Sequence, residues 1–176
     1  SHQNGKFKYE MLDRKALLDI QPGLGPDVVG GSWCPHDGHV NPLYLLRSLH
    51  NCFLKRNGQV LHDAEVFDIN NGEGVFDVFS RKGQFQAPCL ILAAGLGNRK
   101  LAPLIGLKQP VRPQKGQILV TQKMDKLIEI PMTLLRQTAE GSIMIGDSKE
   151  EVGFDVSSSI DIMAQIADRA RRTLPI

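Results

Sequence analysis

The sequence predicts an α+β fold, and three features predict it. Alternating apolar and polar residues between Gln59 and Phe79 read as an antiparallel meander. Two amphipathic stripes, Leu43-Leu46-Leu49-Phe53 and Ile160-Met163-Ala167-Ala170-Leu174, read as helices. Between them lies Cys89-Leu90-Ile91-Leu92-Ala93-Ala94-Gly95-Leu96-Gly97-Asn98, an apolar run ending in small residues and two glycines. Apolar on both faces, the run reads as a buried strand of a parallel or mixed sheet around which the rest is organised. Its small residues let a backbone or a ligand come close, and both glycines can take positive φ. In open α/β sheets ligands sit beyond the carboxyl ends of such strands. A buried strand stopping at a glycine turn would show the same residues.

The chain has 176 residues, enough for one ordinary domain or two small ones. A hydrophobic content of 41% and a charged content of 23% are those of a globular protein. The net charge of +2 gives no ground for a nucleic-acid partner or an acidic membrane surface. No stretch reaches the roughly 18 apolar residues of a membrane span. Residues 1–10 read as a polar, loose lead with a tag-like Ser1-His2, and no signal peptide is legible in it. Cys34, Cys52 and Cys89 are odd in number and form no C-x-x-C, which points to free thiols in a reducing, cytoplasmic setting.

The elements follow in order. Leu12–Ile20 reads as a short helix capped by Asp13 and stopped by Pro22. Val28–Trp33 is a strand weakened by glycine. His36, Asp37 and His39 read as a hydrogen-bonded loop, because no fourth metal ligand lies near. Asn41 caps a helix with Pro42 at its first position, running to about Arg56 and ending at Asn57-Gly58. Val60–His62, Glu65–Ile69 and Val75–Phe79 are strand segments, with turns at Asn70–Gly74 and Arg81–Gly83. Leu101–Leu107 is a short helix ending near Gly106. Gln117–Gln122, Thr133–Thr138 and Ser142–Asp147 are strands, the last two joined by an Ala139-Glu140-Gly141 hairpin. One mixed or antiparallel sheet built from 60–79 and 117–147 is expected, with the two long helices packed on the rest. Ser158 with Asp161 makes a capping-box-like start to the final helix.

Taken in order, these segments resemble a family. Asp37-Gly38-His39-Val40-Asn41-Pro42, Cys89–Gly97, Leu107–Gln117, Arg136-Gln137-Thr138 through Gly146-Asp147-Ser148, and Val152-Gly153-Phe154-Asp155 look like the glycine oxidase/D-amino acid oxidase family of flavoenzymes. The branch with opine oxidase subunits, hydrogen cyanide synthase subunits and D-hydroxyproline dehydrogenases is the most similar.

The resemblance implies FAD as cofactor and oxidation of the C–N bond of an amino acid or secondary amine to an imine. It implies a backbone contact to FAD at Val66 and passage of the cofactor by Ala93, Ala94, Gly95 and Leu96. Val66 also reads as a plain strand residue. Arg136, on the face of Leu134, is implied as a substrate-binding residue; its alternative is a salt-bridged surface arginine. No catalytic residue and no metal ligand is assigned to this chain. Family members open with a strand, a G-x-G-x-x-G turn and a helix that receive the FAD pyrophosphate, and that segment is missing here.

The expected organisation is therefore segments 11–58 and 89–107 on the FAD-domain side, a β-meander at 59–88, and a substrate-binding sheet and helix at 108–176. The chain is expected to be the middle of a longer enzyme, inactive and free of FAD by itself, with other oxidoreductase subunits as possible partners. The competing expectation is a non-catalytic subunit or interaction module that keeps the sheet and never binds flavin.

Overall fold

The computed structural model describes residues 8–175. The chain runs β1 (Glu10–Asp13), α1 (Arg14–Ile20), β2 (Gly30–Trp33), α2 (Pro42–Lys55), β3 (Val66–Gly72), β4 (Val75–Ser80) and β5 (Gly83–Ala87). A 3-10 turn at Gly95–Gly97, α3 (Asn98–Leu101) and a second 3-10 turn at Ala102–Ile105 follow, then β6 (Ile118–Lys123), β7 (Leu135–Gln137), β8 (Ser142–Gly146) and α4 (Ile160–Thr173). The α+β class holds. The one large sheet does not: the strands form three small sheets ordered β1-β2, β3-β4-β5 and β6-β8-β7, with every pair antiparallel. Of the expected loose lead, residues 1–7 lie outside the described residues, as does Ile176. The chain divides into two compact units, one of Ser1–Arg47, Lys115–Glu150 and Asp155–Ile176, the other of Ser48–Gln114 and Glu151–Phe154.

The first unit is built on β8. Its register pairs Leu119 of β6 and Leu135 of β7 with Ile145, and Gln137 with Ile143. Alternation turns Ile143 and Ile145 to one face, where they are buried with Leu135, Ile128 and the α4 residues Ile166, Ala170 and Leu174. The expected stripe of α4 is displaced. Ile160 and Ala167 are exposed, and the packed face is Ile162-Ile166-Ala170-Leu174, a strict four-residue spacing. The capping box is also absent. Ser159 is the cap and makes no side-chain cap bond; its N–H donates to Gln117 Oε1 at 2.9 Å.

Two glutamines hold the irregular 124–129 segment. Gln137 Oε1 accepts from the backbone N–H groups of Leu127 and Ile128. Gln21 is buried, donating to Leu127 O and accepting from Glu129 N–H, both at 2.8–2.9 Å. Asp13 caps α1 as expected, accepting from Ala16 N–H at 2.8 Å. The helix begins only at Arg14, because Leu12 and Asp13 pair with Gly31 and Gly30 in the β1-β2 ladder. A Cβ on Gly30 would come within 2.9 Å of Leu12 O, so the glycine is what lets the strands approach.

A polar cluster ties β6, β8 and α4 together. Lys115 and Glu150 exchange two backbone hydrogen bonds of 3.0 and 2.9 Å. Lys115 Nζ lies 3.2 Å from both Glu150 Oε2 and Asp155 Oδ2 and donates to Ser157 O at 3.0 Å. Glu150 Oε1 accepts from Ser148 Oγ at 2.6 Å and Gln117 Nε2 at 2.8 Å. The Ser157 N–H and hydroxyl, with Lys115 beside them, hold the Asp155 carboxyl down to about 2. Ser148 and Gln117 lower Glu150, aided by Lys115. Partial burial works against the charge on Lys115, but the bonds and charges of Asp155 and Glu150 outweigh it and raise its pKa. The segment Lys115-Gly116-Gln117, just before β6, is thus a hub.

In the second unit β3 and β4 form a hairpin closed by Glu73-Gly74, both at positive φ (48° and 83°), which matches the right-handed strand twist. β5 pairs with the other edge of β4. The organising strand is not a strand. Leu90–Ala94 is irregular, Cys89 is exposed, and Ile91 is 82% exposed. The run after Pro88 pairs with no strand among the described residues. Hydrophobicity alone does not satisfy backbone hydrogen bonds. Val60–His62 is irregular for the same reason. Ile69 and Ala102 are buried where β3 packs with α3 and the following 3-10 turn.

Asn41 caps α2, its Oδ1 accepting from Leu43 N–H at 3.0 Å and Tyr44 N–H at 3.3 Å. The helix is not packed as expected: Leu43, Leu46, Leu49 and Phe53 are all exposed. Gly58 ends it under the Phe53 ring, where a Cβ would lie 2.4 Å from ring carbons.

Ile143, fully buried, sets the first measurement. Ile143→Ala is expected to cost about 2–5 kcal/mol by urea denaturation, whereas Ile91→Ala stays within about 0.5 kcal/mol. The acid cluster sets the second. Asp155 has its folded pKa below the unfolded 3.8, so its contribution is complete above about pH 4 and is lost as pH falls towards 2. Glu150 acts in the same direction from 4.5. Urea midpoints measured from pH 6 to pH 2 should fall less steeply in Asp155→Asn and Glu150→Gln than in the parent.

Candidate functional site

Arg136 sits in the middle of β7, between buried Leu135 and core-facing Gln137. Alternation sends it to the sheet face away from α4. There it pairs across the strands with Met144 of β8, which pairs in turn with Val120 of β6. Arg136 Nη2 contacts Met144 Sδ at 2.7 Å, and among the described residues no carboxylate lies within ion-pair distance of it. Val120 and Ile118, on the same face, are 59% and 50% exposed. Arg136 therefore closes a row of apolar side chains on an open sheet face. Leu134 is not its neighbour there: β7 begins only at Leu135, and Leu134 packs against the core cluster.

A cleft of about 860 Å³ opens in the same unit, between the 147–150 segment and α4. Thr133, Leu134, Lys149, Gln165 and Arg169 line it, and Arg169 Nη2 donates to Asp147 O at 2.6 Å. Arg136 and Val120 are not among its walls.

The other sequence-predicted residues lie in the second unit. Val66 opens β3 opposite Ser80, just before a register shift between Val66 and Asp68. Ala93 and Ala94 are exposed, Leu96 is 38% exposed, and Gly95 has φ +54. A Cβ built on Gly95 meets nothing within 4 Å, so open space faces this corner. Gly97, which could likewise take positive φ, is helical at −62°. Asn98, the last residue of the 89–98 run and given no role of its own from the sequence, fixes the corner: its Oδ1 accepts from Ala94 N–H at 3.1 Å and its Nδ2 donates to Leu92 O at 3.2 Å. The corner thus combines small residues, a backbone held by a buried asparagine and open space before Gly95. Met144 and Val120 were likewise not expected at the site; the alternation of Ile118-Leu119-Val120 with its partners was the available signal.

Among the described residues no group of three or more His, Cys, Asp or Glu is placed to hold a metal, and no helix is long and apolar enough to cross a membrane. Residues 1–176 match the family described as DAO, FAD dependent oxidoreductase. The chain is 40% identical over 173 residues to an opine oxidase subunit of Agrobacterium tumefaciens (strain Ach5), covering 98% of this chain and 47% of that protein. It is likewise 40% identical over 175 residues to the opine oxidase subunit of the same name from Rhizobium meliloti, covering 95% and 45%. The chain thus spans about half the length of these relatives. Among solved structures, glycine oxidase from Geobacillus kaustophilus superposes with a TM-score of 0.85 at 21% identity, over 97% of this chain and 47% of that one. The L-proline dehydrogenase from P. horikoshii gives 0.85 at 20%, over 95% and 48%. With that family match running over residues 1–176, the chain belongs to the DAO family of FAD-dependent oxidoreductases.

Proposed function

We propose that this chain supplies part of an FAD-dependent enzyme that oxidises the C–N bond of a carboxylate-bearing amine or amino acid to an imine, and that Arg136 holds the carboxylate. The observation that carries the reading is the placement of Arg136, a half-buried guanidinium on an open, apolar sheet face with no carboxylate partner among the described residues. A surface ion pair, the alternative role, has no acid to form it among the described residues. The names of the relatives support an amine substrate, and their description as subunits of opine oxidase supports assembly with further chains.

FAD, when bound, supplies the two-electron acceptor: a hydride equivalent leaves carbon, a proton leaves nitrogen, and the C–N bond becomes double. Val66, Ala93, Ala94, Gly95 and Leu96 would hold it, Val66 through its backbone and the corner through its lack of bulk. What this chain does in the reaction is positional. The Arg136 guanidinium binds the carboxylate through paired N–H donors, beside the apolar side chains of Met144 and Val120. A fixed carboxylate fixes the adjacent C–N bond, and orientation of that kind lowers the barrier without any proton-transferring group on this chain.

Two outcomes test this in the flavin-loaded enzyme that contains the chain. Arg136→Met removes a charge-assisted pair of about 1.5–3 kcal/mol, so kcat/KM for a carboxylate substrate should fall ~10- to 150-fold while flavin content is retained. A kcat/KM within twofold of the parent would refute the role of Arg136. Gly95→Val places a branched side chain at φ +54 in the open corner, and flavin absorbance per mole of protein should fall below half of the parent value.

A further inference from the structure

We infer that Val120, with Met144 as a bridge, selects substrates by the hydrocarbon carried beside their carboxylate; the inference rests on Arg136 being the carboxylate site. Val120, Met144 and Arg136 stand in one row across three strands. Adjacent strands are about 4.8 Å apart, so the row spans roughly 10 Å from β6 to β7.

Its chemistry changes along that length. A guanidinium occupies one end, a thioether the middle and a branched hydrocarbon the other end. The 2.7 Å contact to Met144 Sδ lays the guanidinium along the sheet, so its charge borders the apolar strip. Ile118 extends the strip along β6, where its Cγ2 lies 2.8 Å from the position a Gly146 Cβ would take. Glycine at 146 thus leaves the Ile118 methyls as the surface of the strip.

An exposed, two-residue patch of β-branched side chains is ordinary on a protein surface. Its continuity with an arginine that has no acidic partner is not. The complementary occupant is a small molecule with a carboxylate at one end and a branched apolar body a few bonds away. An N-substituted amino acid with an aliphatic side chain has that form. The same amine without the side chain would meet Arg136 equally well and leave Val120 uncovered. Val120 then acts on the difference between two substrates, which is where specificity resides.

The probes are N-(carboxymethyl)leucine and iminodiacetate, which share both carboxylates and the secondary amine and differ by one isobutyl group. The flavin-loaded enzyme containing the chain is compared with Val120→Thr, Val120→Ile and Arg136→Met. Val120→Thr keeps the branched shape and adds a hydroxyl, so the kcat/KM ratio of N-(carboxymethyl)leucine to iminodiacetate should fall about tenfold, mainly through KM, and Val120→Ile should restore it. Arg136→Met should lower kcat/KM for both probes. A ratio unmoved by Val120→Thr overturns the role of Val120 and leaves Arg136 standing. Unchanged kinetics for both probes in Arg136→Met overturns the reading of Arg136 itself.

A titration of the enzyme containing the chain, with its flavin kept reduced and followed by nitrogen–proton NMR, gives a readout independent of turnover. N-(carboxymethyl)leucine should shift the Val120 and Met144 amides and the Arg136 Nε–H together, and at lower concentration than iminodiacetate. Shifts confined to Arg136, or equal affinity for the two probes, would overturn the inference.

Discussion

The two-residue period of β8 is the constraint on which the first unit depends. Ile143 and Ile145 face α4 and are buried, while Met144 between them faces away. A slip of one residue would exchange these faces, burying the thioether side and exposing both isoleucines. The same period places Leu135 inward and Arg136 outward on β7, and Leu119 inward and Val120 outward on β6. One side of the sheet is thereby a core and the other an open face carrying Val120, Met144 and Arg136.

Register is held at the ends of the strands by polar contacts. The Lys115–Glu150 backbone pair and the Gln117–Ser148 contacts join the approach to β6 with the exit from β8. Gln117 then reaches Ser159 N–H at the start of α4. A single glutamine side chain thus links the sheet to the helix that covers it. Lys115 is surrounded by acceptors from Glu150, Asp155 and Ser157, which offsets the desolvation of a half-buried ammonium. Position rather than net charge makes this cluster matter, since it sits where three elements meet.

The second unit follows a different logic. Its sheet is a local meander with a small core, and the corner at Ala93–Leu96 has little bulk and much exposed backbone. Asn98 supplies by side-chain hydrogen bonding the order that a strand ladder would otherwise supply. The result is a small-residue turn of fixed backbone with open space before Gly95.

Local chemistry alone determined much of this protein. Asn41 before Pro42 fixed the start of α2, Asp13 capped α1, and Gly141 closed the β7-β8 hairpin, because each acts on backbone groups within a few residues. The ordered motifs around Arg136 and Ala93–Gly97 were sufficient to identify the family. Pairing was another matter. Whether Cys89–Ala94 becomes a strand depends on a free ladder edge, and that is a property of distant segments rather than of its own apolar residues. Likewise Ile160 and Ile166 are equally apolar, yet only the one whose helical angle meets β8 is buried. Arg136 was legible as a charge in an apolar strand, but its company of Met144 and Val120 came from register across three strands. Sequence specifies what each residue can do within a turn or two; tertiary structure decides which backbone edges and side-chain faces meet, because those contacts are chosen by partners far along the chain.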